Sequence, residues 1–255
     1  MNRKIAFVTN VKEYTGPPAA ASLAHAGWDV FCHDNSFISS EALTRYESEN
    51  PGRYASAAQD AAAFVAEGLA RFGRIDALIS NDIPKGMTSQ LKPKDVKAFF
   101  DAGDSLLDFE AYLDSLVTMP VRLMRAALPA MKAARSGSII LVTSGAPLCN
   151  PAMGGPHGYT AARAAAHGLV KALASELAPL NIQANAIAPF MVYSQTFFPS
   201  DIGVDDPQYA EILNQKVPMR RFGRPEEIGA LIALLASGDI GFVSGQIIAF
   251  SGAGC

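Results

Sequence analysis

Residues 138–188 read SIILVTSGAPLCNPAMGGPHGYTAARAAAHGLVKALASELAPLNIQANAIA. An apolar run (SIILVTS, 138–144) is followed by a loop rich in Pro and Gly (145–158), an Ala/Leu-rich stretch of helical period (158–178) and a second apolar run (IQANAIA, 182–188). Short apolar runs bounded by turn residues read as buried strands, and the longer periodic stretch between them as a covering helix. A strand, a helix and a strand in that order make a crossover unit with parallel strands.

The alternation extends in both directions. Upstream, KIAFVT (4–9) precedes a helical stretch at 17–26, WDVFCH (28–33) precedes 41–49, and 59–72 precedes IDALIS (75–80). A long helical pattern over 106–134 leads into SIILVTS, and 226–236 leads into GQIIAF (245–250). Repeated βαβ units predict a doubly wound α/β architecture, a parallel sheet of about seven strands with helices on both faces. No linker or shift in composition divides the chain, so a single domain is expected over residues 1–255. The stretches 82–104 and 189–224 stand outside the pattern. In open α/β sheets such connections lie beyond the carboxyl ends of the strands, where ligands bind.

Composition narrows the partners. With 49% hydrophobic and 18% charged residues the chain is neither disordered nor fibrous. Its 21 Lys and Arg against 24 Asp and Glu give a net charge of −3 with no basic run along an element, so small molecules are expected as partners and nucleic acid is not. No apolar stretch reaches the ~18 residues of a membrane span, and the apolar part of MNRKIAFVTN is too short for a signal peptide, so a cytoplasmic protein without a membrane partner is expected. Cys32, Cys149 and Cys255 are odd in number and lack CxxC or ligand spacing, which predicts neither a disulfide nor a metal site. His33, His157 and His167 have no partners at ligand spacing and read as structural or solvent-facing, with His157 bordering a substrate.

The first strand-to-helix turn of such a fold normally carries glycines, so that backbone N–H groups can approach a pyrophosphate. Here it reads TNVKEYTGPP (9–18). Thr9 and Gly16 fit a TGxxxGxG pattern, but Asn10 and Tyr14 stand at the other two glycine positions. Pro17 and Pro18 have no N–H to donate, and Glu13 adds a negative charge, so no nucleotide cofactor is expected. Asp34, after the second strand, is the kind of acid that would bind an adenosine ribose, although an Asp ending a strand is usually a turn residue.

Tyr159 and Arg163 are four residues apart and therefore neighbours on one helix face, and Ser144 ends the preceding strand. A guanidinium about 4–5 Å from a phenol favours phenolate by roughly 3–4 kcal/mol at an effective dielectric near 20. Tyr159 would then act as general base while the Ser144 hydroxyl holds the same substrate oxygen.

Across nearly the whole chain these pieces resemble the short-chain dehydrogenase/reductase superfamily. They are the altered glycine loop at Thr9, FGRIDALISND (72–82), GSIILVTS (137–144), the Tyr159/Arg163 pair, LNIQANAIAP (180–189) and SGQIIAFSGAG (244–254). The resemblance implies a single Rossmann-like domain. That superfamily pairs its Tyr with Lys, and Arg163 in that place is not a conservative change. Together with Tyr14, with Ser80-Asn81-Asp82 after the fourth strand and with Phe190 after Pro189, this resembles the halohydrin dehalogenases. Those enzymes use no cofactor and bind halide where their relatives bind nicotinamide. By resemblance, Ser144, Tyr159 and Arg163 are the catalytic triad and Asp82 orients Arg163. Tyr14, Pro189, Phe190, Met191, Val192 and Phe198, the last five in PFMVYSQTFFP (189–199), are by resemblance the halide and substrate pocket. The resemblance further implies haloalcohols, epoxides, halide and small anions as partners, no metal, and a homotetramer. The loop 145–158 is longer than usual for the family, which bears on substrate reach.

Overall fold

A computed structural model describes residues 3–83, 106–149, 157–197 and 207–255. Seven parallel strands form one sheet in the order β3-β2-β1-β4-β5-β6-β7, as the crossover pattern requires. They are β1 (Ile5–Val8), β2 (Asp29–His33), β3 (Arg53–Ser56), β4 (Ala77–Ser80), β5 (Gly137–Val142), β6 (Ile182–Pro189) and β7 (Ile247–Phe250). The chain reverses direction across the sheet between β1 and β4, and the carboxyl ends of these central strands open a crevice there.

The helices are α1 (Gly16–His25), α2 (Ser40–Glu49), α3 (Ala61–Phe72), α4 (Leu106–Leu113), α5 (Met119–Ala134), α6 (His157–Leu177), α7 (Pro207–Lys216) and α8 (Pro225–Ser237). A π-helical turn at Asp114–Thr118 joins α4 to α5. One face of the sheet buries Val8, Val30 and Ile140 against Leu23 of α1 and Ile228 and Ile232 of α8. The other buries Phe7, Phe31 and Ile139 against Phe64 of α3, Met124 of α5 and Val170 of α6. β1 and β5 are buried at every position because both faces are covered, hence their unbroken apolar runs.

Two elements escaped the periodicity. β3, RYAS, is a four-residue edge strand with Arg53 and Tyr54 only half-buried, so it presents no apolar run. α7 lies inside the stretch 189–224, and Leu213 joins Val217 and Phe222 in a small separate cluster. The expectation of no disulfide is corrected: Cys149 and Cys255 are bonded, 106 positions apart. Sequence spacing gave no sign of the pair because the fold, bringing the turn after β5 beside the segment after β7, makes the neighbours. No helix among the described residues is long and apolar enough to cross a membrane.

Candidate active site

The turn after β1 keeps the backbone of a glycine loop with two of its three glycines replaced. Asn10 and Tyr14 both adopt left-handed φ, +45° and +48°, a conformation that costs most side chains roughly 1–2 kcal/mol. Gly16 is needed for a different reason: a Cβ there would lie 2.3 Å from the Asn10 carbonyl oxygen. Asn81, just past β4, holds the turn in place. Its side-chain amide donates to the carbonyls of Asn10 (3.0 Å) and Glu13 (2.9 Å), and its side-chain oxygen accepts from the Thr15 hydroxyl (2.7 Å).

Five N–H groups of this loop are committed to partners within the protein. Val11 donates to the His33 carbonyl, Lys12 to Asp34, Glu13 to the Asn10 carbonyl, Tyr14 to the Thr196 hydroxyl and Gly16 to the Glu13 carbonyl. Pro17 and Pro18 open α1, and Ala19 donates to Thr15 within the helix. Asp34 is buried and fully engaged as a turn residue, accepting from the Lys12 N–H and from both the N–H and the hydroxyl of Ser36. Lys12 closes over that turn, its ammonium 4.7 Å from the Phe37 ring centre. These residues do not fit a dinucleotide.

The Tyr14 ring meets Phe197 edge-to-face at 4.8 Å, so Phe197 packs against Tyr14 on this side of the crevice. Phe198 lies outside the described residues. Thr196 ties the two loops together, accepting from the Tyr14 N–H and donating to the Glu13 carboxylate. Tyr14 is also within electrostatic reach of Tyr159 and Arg163, although burial is the main influence pushing its phenol above the ordinary range.

Tyr159 and Arg163 share a face of α6, with the guanidinium carbon 5.2 Å from the Tyr159 ring centre. Arg163 is buried and directed toward the ends of two strands, donating to the Val142 carbonyl (2.9 Å) and the Asp82 carbonyl (3.1 Å). Its Nε has no partner among the described residues. Asp82 therefore meets Arg163 through its main chain. Its carboxylate accepts from Ser80, Thr9 and Asn10, and burial raises its pKa despite those bonds and the nearby guanidinium. Ser144 follows β5, buried, and accepts from the Ala146 N–H (3.1 Å). Tyr112 of α4 meets Tyr159 edge-to-face, with ring centres 6.0 Å apart.

The segment after β6 is pinned to its surroundings. Pro189 accepts from the Gly145 N–H, Phe190 donates to the Phe250 carbonyl, and Val192 pairs with Gly223. Met191 is left-handed at φ +51°. The Phe190 ring packs toward the turn after Ser144 and the segment after β7, since a Cβ on Gly145 would lie 2.9 Å from its Cβ and one on Gly254 2.9 Å from its Cδ1. The neighbouring cleft of about 460 Å³ is lined by Phe190, Val217, Met219, Phe250 and Cys255 among others.

A family model described as Enoyl-(Acyl carrier protein) reductase matches residues 16–252. Dehydrogenase/reductase SDR family member 4 of Oryctolagus cuniculus is 33% identical over 76% of this chain and 69% of its own length. The 3-oxoacyl-[acyl-carrier-protein] reductase FabG of Thermotoga maritima is 28% identical over 98% of this chain and 96% of its own. Among solved structures, one described as a dehalogenation enzyme superposes with a TM-score of 0.88 at 32% identity over 100% of this chain and 99% of its own. A halohydrin dehalogenase (HheC) bound to ethyl (2S)-oxiran-2-ylacetate superposes at 0.84, with 31% identity, over 98% and 96%. The chain belongs to the halohydrin dehalogenase branch of the short-chain dehydrogenase/reductase family.

Sequence reasoning missed Asn81, Phe197, Tyr112 and the Thr143–His167 contact. Asn81 and Phe197 lie within the segments already singled out, but their contacts depend on loops that meet only in the fold. The sequence offered one signal, the run of polar residues from Ser80 to Asp82 at a strand end.

Proposed function

We propose that this chain interconverts vicinal haloalcohols with epoxides plus halide, without a nucleotide, and in reverse opens epoxides with azide, cyanide or nitrite. The observation that carries this reading is the crevice at β1: Tyr14, held left-handed and packed on Phe197, stands where a dinucleotide would need bare backbone. Tyr159 takes the hydroxyl proton, with Arg163 held beside its ring, while Ser144 donates to the same oxygen. The oxygen then attacks the adjacent carbon, the carbon–halogen bond breaks and the halide leaves. Asp82 serves through its carbonyl, which fixes the Arg163 guanidinium.

The halide is assigned to Tyr14, Pro189, Phe190, Met191 and Val192; Phe198, the remaining candidate, lies outside the described residues. With the Phe190 and Tyr193 N–H groups engaged by Phe250 and Gly223, the Met191 and Val192 amides are its proposed donors. Left-handed Met191 supports this, because alternating-handed residues gather successive amides into an anion-binding concavity. A homotetramer is proposed from pairing of the long helical segments 106–134 and 158–178 across two-fold axes, and the exposed small residues Ala161, Ala164, Ala165, Gly168 and Ala172 of α6 allow close helix packing at one of those axes; light scattering of the purified protein tests it.

The central test is bromide release from a short vicinal bromoalcohol in nucleotide-free buffer. Release by wild type and none by Tyr159→Phe is expected. No release from several haloalcohols, together with a thermal shift on adding NADH or NADPH, would instead favour an oxidoreductase.

A further inference from the structure

Three elements carry the proposed chemistry, and one hydroxyl joins them. Tyr159, Arg163 and His167 follow one another at intervals of four along α6, so they share a face. Thr143 immediately precedes Ser144 at the end of β5, and Ile187 of β6 comes two residues before Pro189. The Thr143 hydroxyl lies 2.9 Å from His167 Nε2 and 3.0 Å from the Ile187 carbonyl oxygen. A hydroxyl has one proton, and a carbonyl can only accept, so that proton goes to Ile187. His167 must then be the donor, through a protonated Nε2.

We infer that Thr143 and His167 are positioning residues that set the spacing between Tyr159, Ser144 and the segment after β6; the inference rests on the function proposed above. Neither touches the substrate. Beside this contact, Arg163 donates to the carbonyl of Val142, so two successive strand residues are tied to two successive turns of α6. Thr143, His167 and Arg163 are all buried, and a donor stripped of its acceptor there cannot turn to water instead. His167 stays neutral at working pH, since burial and the facing Arg163 charge push it down to about 4, so its donor role does not change across the neutral range. Reacting groups displaced by about 1 Å can lose of the order of 100-fold in rate.

The test compares Thr143→Val, which keeps the shape and removes the hydroxyl, with Thr143→Ser, and His167→Leu with His167→Gln, which restores an N–H donor. Thr143→Val and His167→Leu are expected to lower kcat for bromide release by roughly 10- to 100-fold with little change in KM. Thr143→Ser and His167→Gln should recover most of it, and the double variant should lose no more than the worse single one. A crystal structure of Thr143→Val should show Arg163 Nη1 withdrawn from the Val142 carbonyl. Wild-type kcat in folded Thr143→Val, or a loss that Ser does not rescue, overturns the inference. Should Thr143→Val fail to fold, the His167 pair carries the same comparison. If wild type itself releases no bromide, the proposed function fails, and the crystal structures decide the inference alone: an unmoved α6 overturns it.

Discussion

At Tyr14 and Asn10 the side chain and the backbone ask for different things. The side chains fill the crevice and bind neighbouring loops, whereas the left-handed backbone suits glycine. The ordinary ranking of substitutions should therefore invert at residue 14: Tyr14→Gly should be more stable than Tyr14→Ala by about 1 kcal/mol in urea unfolding, because both lose the ring and only Ala keeps the strain. His167 makes a second residue-scale prediction. Its pKa falls from 6.5 to about 4 in the folded protein, so between those values the unfolded chain binds a proton that the folded one refuses. The stability it contributes is whole above pH 6.5 and is lost as pH falls toward 4, at most about 3 kcal/mol. Thermal melts across that window should fall more steeply for wild type than for His167→Gln. Residue identities made Ser144, Tyr159, Arg163 and Tyr14 candidates from sequence, and the fold places Tyr159 beside Arg163 and both within electrostatic reach of Tyr14. That Asp82 reaches Arg163 with its carbonyl was not, because a sequence names side chains and leaves the direction of the main chain open.

Among elements, what sequence revealed depended on burial. Strands covered on both faces, such as β5, announce themselves as apolar runs, while the edge strand β3 and the short α7 have mixed burial and no such run. Contacts between elements are less legible still, since the packing of α4 on the start of α6 follows from no periodicity. There Gly158 lets α4 approach: a Cβ would lie 3.0 Å from Tyr112 Cδ2 and 3.1 Å from Phe109 Cδ2. Gly158→Ala should push Tyr112 off the Tyr159 edge. We expect a loss of about 1 kcal/mol in stability, as for mild overpacking, and a lower kcat/KM for bromide release, readable by denaturation and steady-state kinetics.

At the scale of the whole molecule, the sheet supplies the crevice and the Cys149–Cys255 bond ties the turn after β5 to the segment after β7. The bond joins residues 106 apart, and a loop of that order is worth about 4.7 kcal/mol through restriction of the unfolded chain. A dithiol reductant should therefore lower Tm by roughly 10 °C in a chain of this size, and Cys255→Ser should show the lower Tm with no response to reductant. Oxidised protein should offer one thiol, Cys32, to alkylation after denaturation. The closed ring contains Tyr159, Arg163 and the segment after β6, while Tyr14 and Asp82 lie on the part of the chain before it. A protease that cuts once anywhere between residues 150 and 254 would thus open the ring without separating the fragments: the nicked protein should migrate as one species of full mass until thiol is added, and only then fall into two.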